Sequence, residues 1–168
     1  MRCNSMPEIW DLYDRNKMKT GEVIERKRVH EIPEGLYHLA VDIWVKTSDG
    51  RYLITQRSEK KPTYPLYWEC TGGAVVSGEE SIDGAVRELA EETGLRAEKA
   101  DLKLVNTVVY SNYIMDVYLY ERDVDMSEVF LQEDEVCGAK LATEAEILAM
   151  IENDEFVERV WKRFSEVK

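Results

Sequence analysis

The sequence is short of residues that staple, break or anchor a chain. Its 168 residues include three cysteines (Cys3, Cys70 and Cys137) and four prolines. An odd number of widely spaced cysteines excludes a disulfide framework and a Cys-x-x-Cys metal site. No apolar run approaches the roughly 18 residues of a membrane-spanning helix. The opening MRCNSMPEIWDLYD lacks the apolar stretch of a secretory signal. The expectation is a reduced, cytoplasmic protein with no membrane partner. Basic residues are scarce as well, 22 against 34 acidic for a net charge of −12. That deficit argues against a nucleic-acid partner, because such binding draws its affinity from Lys and Arg on phosphates.

What is present describes one globular domain. Hydrophobic residues make up 44% and charged residues 33%, and the length suffices for a substantial core. No internal repeat or low-complexity linker divides the chain. The charge is uneven: residues 1–68 carry 12 basic and 10 acidic groups, net +2, and residues 69–168 carry 10 and 24, net −14. An acidic half is either a solvated surface or a set of carboxylates gathered around divalent cations.

Alternating segments around Ile9–Tyr13 and Val23–Ile24, separated by the turn-rich Arg15–Gly21, suggest an N-terminal β-hairpin. Tyr37–Lys46 and Arg51–Arg57 read as strands joined at Ser48-Asp49-Gly50, whose Asp-Gly pair suits a tight reversal. Trp68–Thr71 reads as a short strand running into Gly72-Gly73. From Ile82 to Thr93 the period becomes helical, with Ile82, Ala85, Val86, Leu89 and Ala90 on one face. Ser81 is the expected N-cap and Gly94 the stop. Strands at Leu102–Tyr110, Tyr113–Tyr120 and Val136–Leu141 follow, then helices near Glu144–Glu152 and Glu155–Val167. Interspersed strands and helices predict an α/β fold, a mixed sheet covered by helices.

The chemistry concentrates on the helix after Gly73. With Glu88 at the origin, Glu91 falls about 60° to one side and Glu92 about 40° to the other, an arc expected to lie opposite the apolar face, toward solvent. Three carboxylates so close repel one another unless something positive joins them. A hard divalent cation, Mg²⁺ or Mn²⁺, suits such oxygen donors. Arg87 follows Asp83 and precedes Glu91 at four-residue spacing, as a surface ion-pair ladder or as an orienting group. Gly72-Gly73 lets the backbone approach a ligand closely, so a main-chain carbonyl can join a metal shell.

Residues 73–95 resemble the Nudix box, Gly-x5-Glu-x7-Arg-Glu-U-x-Glu-Glu-x-Gly-U with U aliphatic. Gly73, Glu79, Arg87, Glu88, Leu89, Glu91, Glu92, Gly94 and Leu95 fill every defined position. A chance match in one window is on the order of 10⁻⁸. The resemblance implies a Nudix α/β/α sandwich over residues 35–168, with residues 1–34 as a hairpin extension packed on it. It also implies metal-dependent hydrolysis of a diphosphate bond in a nucleoside diphosphate linked to another group, by metal-activated water. Glu88, Glu91 and Glu92 would hold the metal, joined by the Gly72 carbonyl and by Glu79 as an outer carboxylate. Glu88 is similar to a residue that serves as ligand, general base or both, and Arg87 would orient the carboxylates. Members recruit a further acid from beyond the box; Glu135, beside the strand from Val136, is the expected one, with a solvated acidic loop as the alternative. Many relatives dimerise, so a homodimer is an open assembly.

The stretches EIWDLYDRNKMKTGEVIERKRV, YHLAVDIW and WECTGG also resemble a subgroup near the isopentenyl-diphosphate isomerases. Those enzymes carry a cysteine and a histidine where this sequence has Gly72 and Ala74, which speaks against isomerisation. A non-catalytic nucleotide-binding Nudix module is a further alternative. For the substrate, Arg57 is the expected phosphate cation, ahead of Lys60 and Lys61. Tyr67 and Trp68, with Tyr64, are the expected stacking platform. Trp10 and Trp44 read as core residues, Cys70 as a buried thiol, and His38 as a core or surface histidine.

Overall fold

The computed structural model describes residues 6–168, so Cys3 lies outside the described residues. Strands β1 (Ile9–Tyr13) and β2 (Lys19–Glu25) form the N-terminal hairpin. Its reversal is tighter than Arg15–Gly21. The Asp14 carboxylate accepts from the amides of Asn16 at 2.8 Å and Met18 at 3.0 Å, which closes the turn early and leaves Gly21 in β2.

The main sheet is built on β3 (His38–Lys46), which pairs in parallel with β8 (Tyr113–Glu121) along its whole length. Its other edge is shared. Val45 and Lys46 pair with β4 (Tyr52–Arg57), and Ala40–Ile43 pair with β6 (Thr71–Ala74). Beyond these, β5 (Trp68–Glu69) and β9 (Val136–Ala142) pair with β4, and β7 (Leu102–Val109) pairs with β8, all antiparallel. The sheet is therefore mixed, as expected. Gly50, at φ +83°, turns β3 into β4.

Alternate residues of β3 serve different layers. Leu39, Val41, Ile43 and Val45 meet Ala85 and Leu89 of α1 (Ser81–Thr93). Ala40 and Trp44 meet Ile147 of α2 (Glu144–Glu152) and Val160, Trp161 and Phe164 of α3 (Glu158–Ser165). Burial on both faces explains the near-continuous apolar run in this strand. Trp44 is fully buried, stacked on Phe164 at 4.7 Å and edge-on to Trp161 at 5.4 Å. Side chains buried this completely contribute about 1.5–3 kcal/mol each. Among the described residues, no helix is long and apolar enough to cross a membrane.

Two helix starts differ from expectation. Glu80, not Ser81, caps α1; its amide donates to the Asp83 carboxylate at 3.2 Å, while the Ser81 hydroxyl bonds the buried Asp116. Helix α3 begins at Glu158 rather than Glu155 because strand β5 captures the intervening segment. The Trp68 amide donates to Glu155 O at 2.8 Å, and the Val157 amide to Trp68 O at 2.9 Å.

Candidate active site

Helix α1 ends at Gly94, left-handed at φ +74°. It lies against β6, so its inner turns face the Gly72-Gly73 strand. The packing is close enough to require glycine. A Cβ on Gly72 would stand 2.3 Å from the Val41 carbonyl oxygen, and one on Gly73 2.4 Å from the Glu88 carboxyl carbon.

The three carboxylates differ more than a helical wheel predicts. Placing all of them opposite the apolar face is wrong for Glu92, which is buried under the sheet, whereas Glu91 is half exposed and Glu88 largely covered. Glu92 accepts the Gly72 amide at 3.2 Å. Burial pushes its carboxyl up to about 8, with the charges of Glu69 and Glu88 adding to the effect. Burial also raises Glu88, against the pull of Arg87.

Arg87 is the hub. Its guanidinium grips Glu79 with two bonds of 2.7 and 3.0 Å, Glu88 at 2.7 Å, Glu91 at 3.2 Å and the Ala74 carbonyl at 2.9 Å. Although burial acts the other way, these carboxylates hold it firmly protonated. Glu79 thus faces Arg87 and the Val76 amide, 3.2 Å away, and does not line the cleft.

The cleft encloses about 330 Å³ and brings Gly72, Arg87, Glu88, Glu91, Glu92 and Glu135 together. Glu135 arrives on the loop before β9 and is ion-paired with Lys61. Asp134, one residue earlier, pairs with Lys60 away from the cleft, at 2.5 Å. Among the described residues, no three His, Cys, Asp or Glu side chains converge closely enough in this conformation to enclose a metal ion. Glu88 is turned to Arg87 and Glu92 to the Gly72 amide.

The expected substrate groups are not brought here. Tyr67 and Trp68 line a separate hollow with Lys140 and Asp154, where Lys140 sits over the Trp68 ring at 4.5 Å. Sequence proximity to the box misleads because β5 turns away to pair with β4. Arg57 faces a second cleft of about 250 Å³ between the sheet and α3, already tied to Glu69 at 2.5 Å and to the Thr63 carbonyl at 3.0 Å. The two clefts meet at Gly72-Gly73.

Sequence reasoning missed several lining residues. Glu8 and Arg26, from either side of the hairpin, wall the carboxylate cleft and pair at 2.9 Å. The second cleft holds a buried pair, Asp42 with Arg163, and the exposed Arg159. A lone acid in the apolar run AVDIWV was a visible signal for Asp42; nothing local pointed to Arg163. His38 also lines this cleft, stacked on Trp10 at 4.3 Å.

The NUDIX domain family model matches residues 36–166. The chain belongs to the Nudix hydrolase family. An uncharacterised Nudix hydrolase of Listeria monocytogenes is 28% identical over 151 residues, covering 89% of this chain and 88% of its own. Among solved structures, DR0079 from Deinococcus radiodurans superposes with a TM-score of 0.75 at 23% identity, over 94% of this chain and 99% of that one. A bifunctional NMN adenylyltransferase/ADP-ribose pyrophosphatase from Francisella tularensis, complexed with AMP and a Mn ion, gives 0.63 at 21% identity, over 77% of this chain and 40% of that one. These likenesses establish the Nudix fold.

The likeness to isopentenyl-diphosphate isomerases gains no support. Cys70 is buried, and burial pushes its thiol well above the usual range, which disfavours the thiolate.

Proposed function

We propose that this Nudix hydrolase cleaves a diphosphate bond in a nucleoside diphosphate linked to another group, in a reaction dependent on Mg²⁺ or Mn²⁺. The observation that carries the reading is the cleft itself. An unbroken Nudix box folds so that Glu88, Glu91 and Glu92 border one cavity, with Glu135 on its rim.

The donor set fits a hard divalent ion. It consists only of oxygens, and Glu92 is a buried carboxylate with raised proton affinity and no cation bonded to it among the described residues. Glu88, Glu91, Glu92 and the Gly72 carbonyl would hold the ion, with Glu79 acting from outside through Arg87. When bound, it supplies positive charge against the diphosphate and acidifies a coordinated water. The AMP and Mn ion in the Francisella tularensis protein are in keeping with such a site.

Arg87 holds the Glu88 carboxyl at 2.7 Å and so fixes its position on the cleft wall. Glu135 is the base we assign. It takes the proton of the attacking water as the new P–O bond forms and the bridging P–O bond breaks, the leaving phosphate departing with the electron pair. Lys61 beside it would face the phosphate oxygens in the same cleft.

The test is phosphate or nucleotide release from a panel of nucleoside diphosphate derivatives with Mg²⁺, comparing wild type with Glu92→Gln. Loss of at least 100-fold in kcat by the variant is expected. Equal turnover would remove the box helix from catalysis, and tight nucleotide binding with no turnover on any substrate would favour a binding module.

A further inference from the structure

The N-terminal hairpin precedes the family match, yet it holds the loop that opens the Nudix box. The Ser77 amide donates to the Ile9 carbonyl at 2.7 Å. The Asp11 carboxylate accepts the Ser77 hydroxyl at 2.6 Å and the Gly78 amide at 3.1 Å. Lys19 donates to the Glu79 carbonyl at 3.0 Å and forms ion pairs with Asp11 and Glu80, both at 3.2 Å. Gly78 adopts φ +91°, a turn with no regular ladder of its own. A second anchor lies at the start of α1. Lys17, itself at φ +61°, reaches the fully buried Asp116 at 2.7 Å, which also accepts Thr107 at 2.6 Å and the Ser81 hydroxyl.

From this loop the contacts run directly into the cleft. Glu79 follows Gly78 and takes two hydrogen bonds from Arg87, whose remaining nitrogen holds Glu88. The backbone of Glu79 is therefore fixed by the hairpin, and its side chain fixes the guanidinium that aims Glu88.

We propose that Asp11 and Lys19 are positioning residues for hydrolysis: they brace the loop 77–80 and, through Glu79 and Arg87, set the orientation of Glu88. The ordinary alternative is a surface hydrogen-bond cluster that merely attaches the hairpin. Attachment alone predicts effects on melting temperature; bracing predicts effects on turnover and metal affinity in protein that is still folded. Partners one step outside a metal's ligands typically change affinity or activity by 10- to 100-fold when removed, so an effect relayed through Glu79 and Arg87 falls at the low end, about tenfold.

This inference rests on the hydrolase reading, and two measurements separate their failures. The first is kcat and KM on the best substrate of the panel, at a temperature where circular dichroism shows every variant folded. Asp11→Ala and Lys19→Met should each lower kcat by about tenfold with KM changed less than threefold, and Lys19→Arg should recover most of the loss. The second is Mn²⁺ titration of the protein followed by electron paramagnetic resonance, which needs no turnover; Asp11→Ala should weaken binding about tenfold. If Asp11→Ala does not fold, Asp11→Asn and Ser77→Ala replace it, keeping the size of the group and removing one partner each. A folded variant with wild-type kcat and Mn²⁺ affinity overturns the brace and leaves hydrolysis standing. A wild type that hydrolyses nothing, but whose Mn²⁺ affinity falls in the variant, retains the brace and removes hydrolysis.

Discussion

Gly73→Ala isolates the placement of Glu88 from the folding of the domain. The added Cβ would lie 2.4 Å from the Glu88 carboxyl carbon and 2.5 and 2.6 Å from its oxygens, where ordinary contact starts at 3.4 Å. The carboxyl must therefore retreat by about 1 Å, a displacement that costs on the order of 100-fold in rate even when the shifted group only positions the reaction, as a metal-holding Glu88 would. That factor corresponds to about 2.7 kcal/mol of lost transition-state stabilisation. The three atoms nearest that Cβ all belong to the Glu88 carboxylate. Gly73 is not among the left-handed glycines, and the clash meets the free end of a side chain. Arg87 keeps its bonds to Glu79, Glu91 and the Ala74 carbonyl when Glu88 shifts.

Gly72→Ala is the internal contrast. Its Cβ would stand 2.3 Å from the Val41 carbonyl oxygen and 3.2 Å from the Asp42 Cα, inside a paired strand that cannot step back. Overpacking of this kind costs about 1–3 kcal/mol of stability. The assay is kcat at saturating substrate beside a circular-dichroism melt. Gly73→Ala should lose about 100-fold in kcat with a nearly unchanged Tm, and Gly72→Ala should lose Tm. Folded Gly73→Ala with turnover within threefold of wild type would refute the argument that Glu88 must occupy its observed position.

Two further predictions concern stability. Arg163→Met strands the buried Asp42 carboxylate, whose own burial already raises its proton affinity against the pull of Arg163. A loss of about 3–5 kcal/mol is expected at pH 7. It should shrink as pH falls and Asp42 takes up a proton, and be partly recovered by adding Asp42→Asn; a urea titration showing under 1 kcal/mol would contradict it. Burial lowers His38 from 6.5 to about 4, opposed by a backbone bond at Leu39. The neutral form is thus favoured by folding, its contribution complete above pH 6.5 and lost as pH falls toward 4. The integrated loss is about 3 kcal/mol. His38→Gln should flatten that part of the stability–pH curve, and an unchanged slope would show that His38 is not desolvated.

The elements legible in the sequence are those defined by local period and turn chemistry. The reversal at Ser48-Asp49-Gly50, helix α1 up to Gly94 and the span of α2 follow from such signals. Glu88, Glu91 and Glu92 were legible because their spacing on one helix is itself local. What the sequence hid depends on contacts between distant segments. The wheel that placed Glu92 with solvated partners contains no information about β6 lying over it. Tyr67 and Trp68 are a few residues from Gly72, but strand pairing sends them to another hollow. Glu155–Val157 has helical periodicity and is drawn into bonding with Trp68 instead. The alternation that marks the hairpin is silent on its partners, and Asp11 and Lys19 reach residues 77–80.

The near-neutral first 68 residues contain the expected phosphate cations Arg57, Lys60 and Lys61, and the structure changes that electrostatic expectation. Arg26 and Lys61 do reach the cleft, but each brings a counter-ion, Glu8 and Glu135 respectively, and Arg57 is spent on Glu69. Even with the buried Glu92 protonated, the cleft walls carry the carboxylates of Glu8, Glu88, Glu91 and Glu135 against the cations of Arg26, Lys61 and Arg87. A bare diphosphate therefore enters a site with more acid than base and is repelled. Binding, and not only chemistry, should require a divalent ion that outweighs this excess. A methylene-bridged nucleoside diphosphate analogue, which cannot be hydrolysed, measures this by calorimetry in Mg²⁺ and in EDTA. Affinity at least tenfold weaker in EDTA is expected. Equal affinity in both would mean that Arg26, Lys61 and Arg87 outweigh the carboxylates by themselves, and that the acidic excess has no part in making the site dependent on metal.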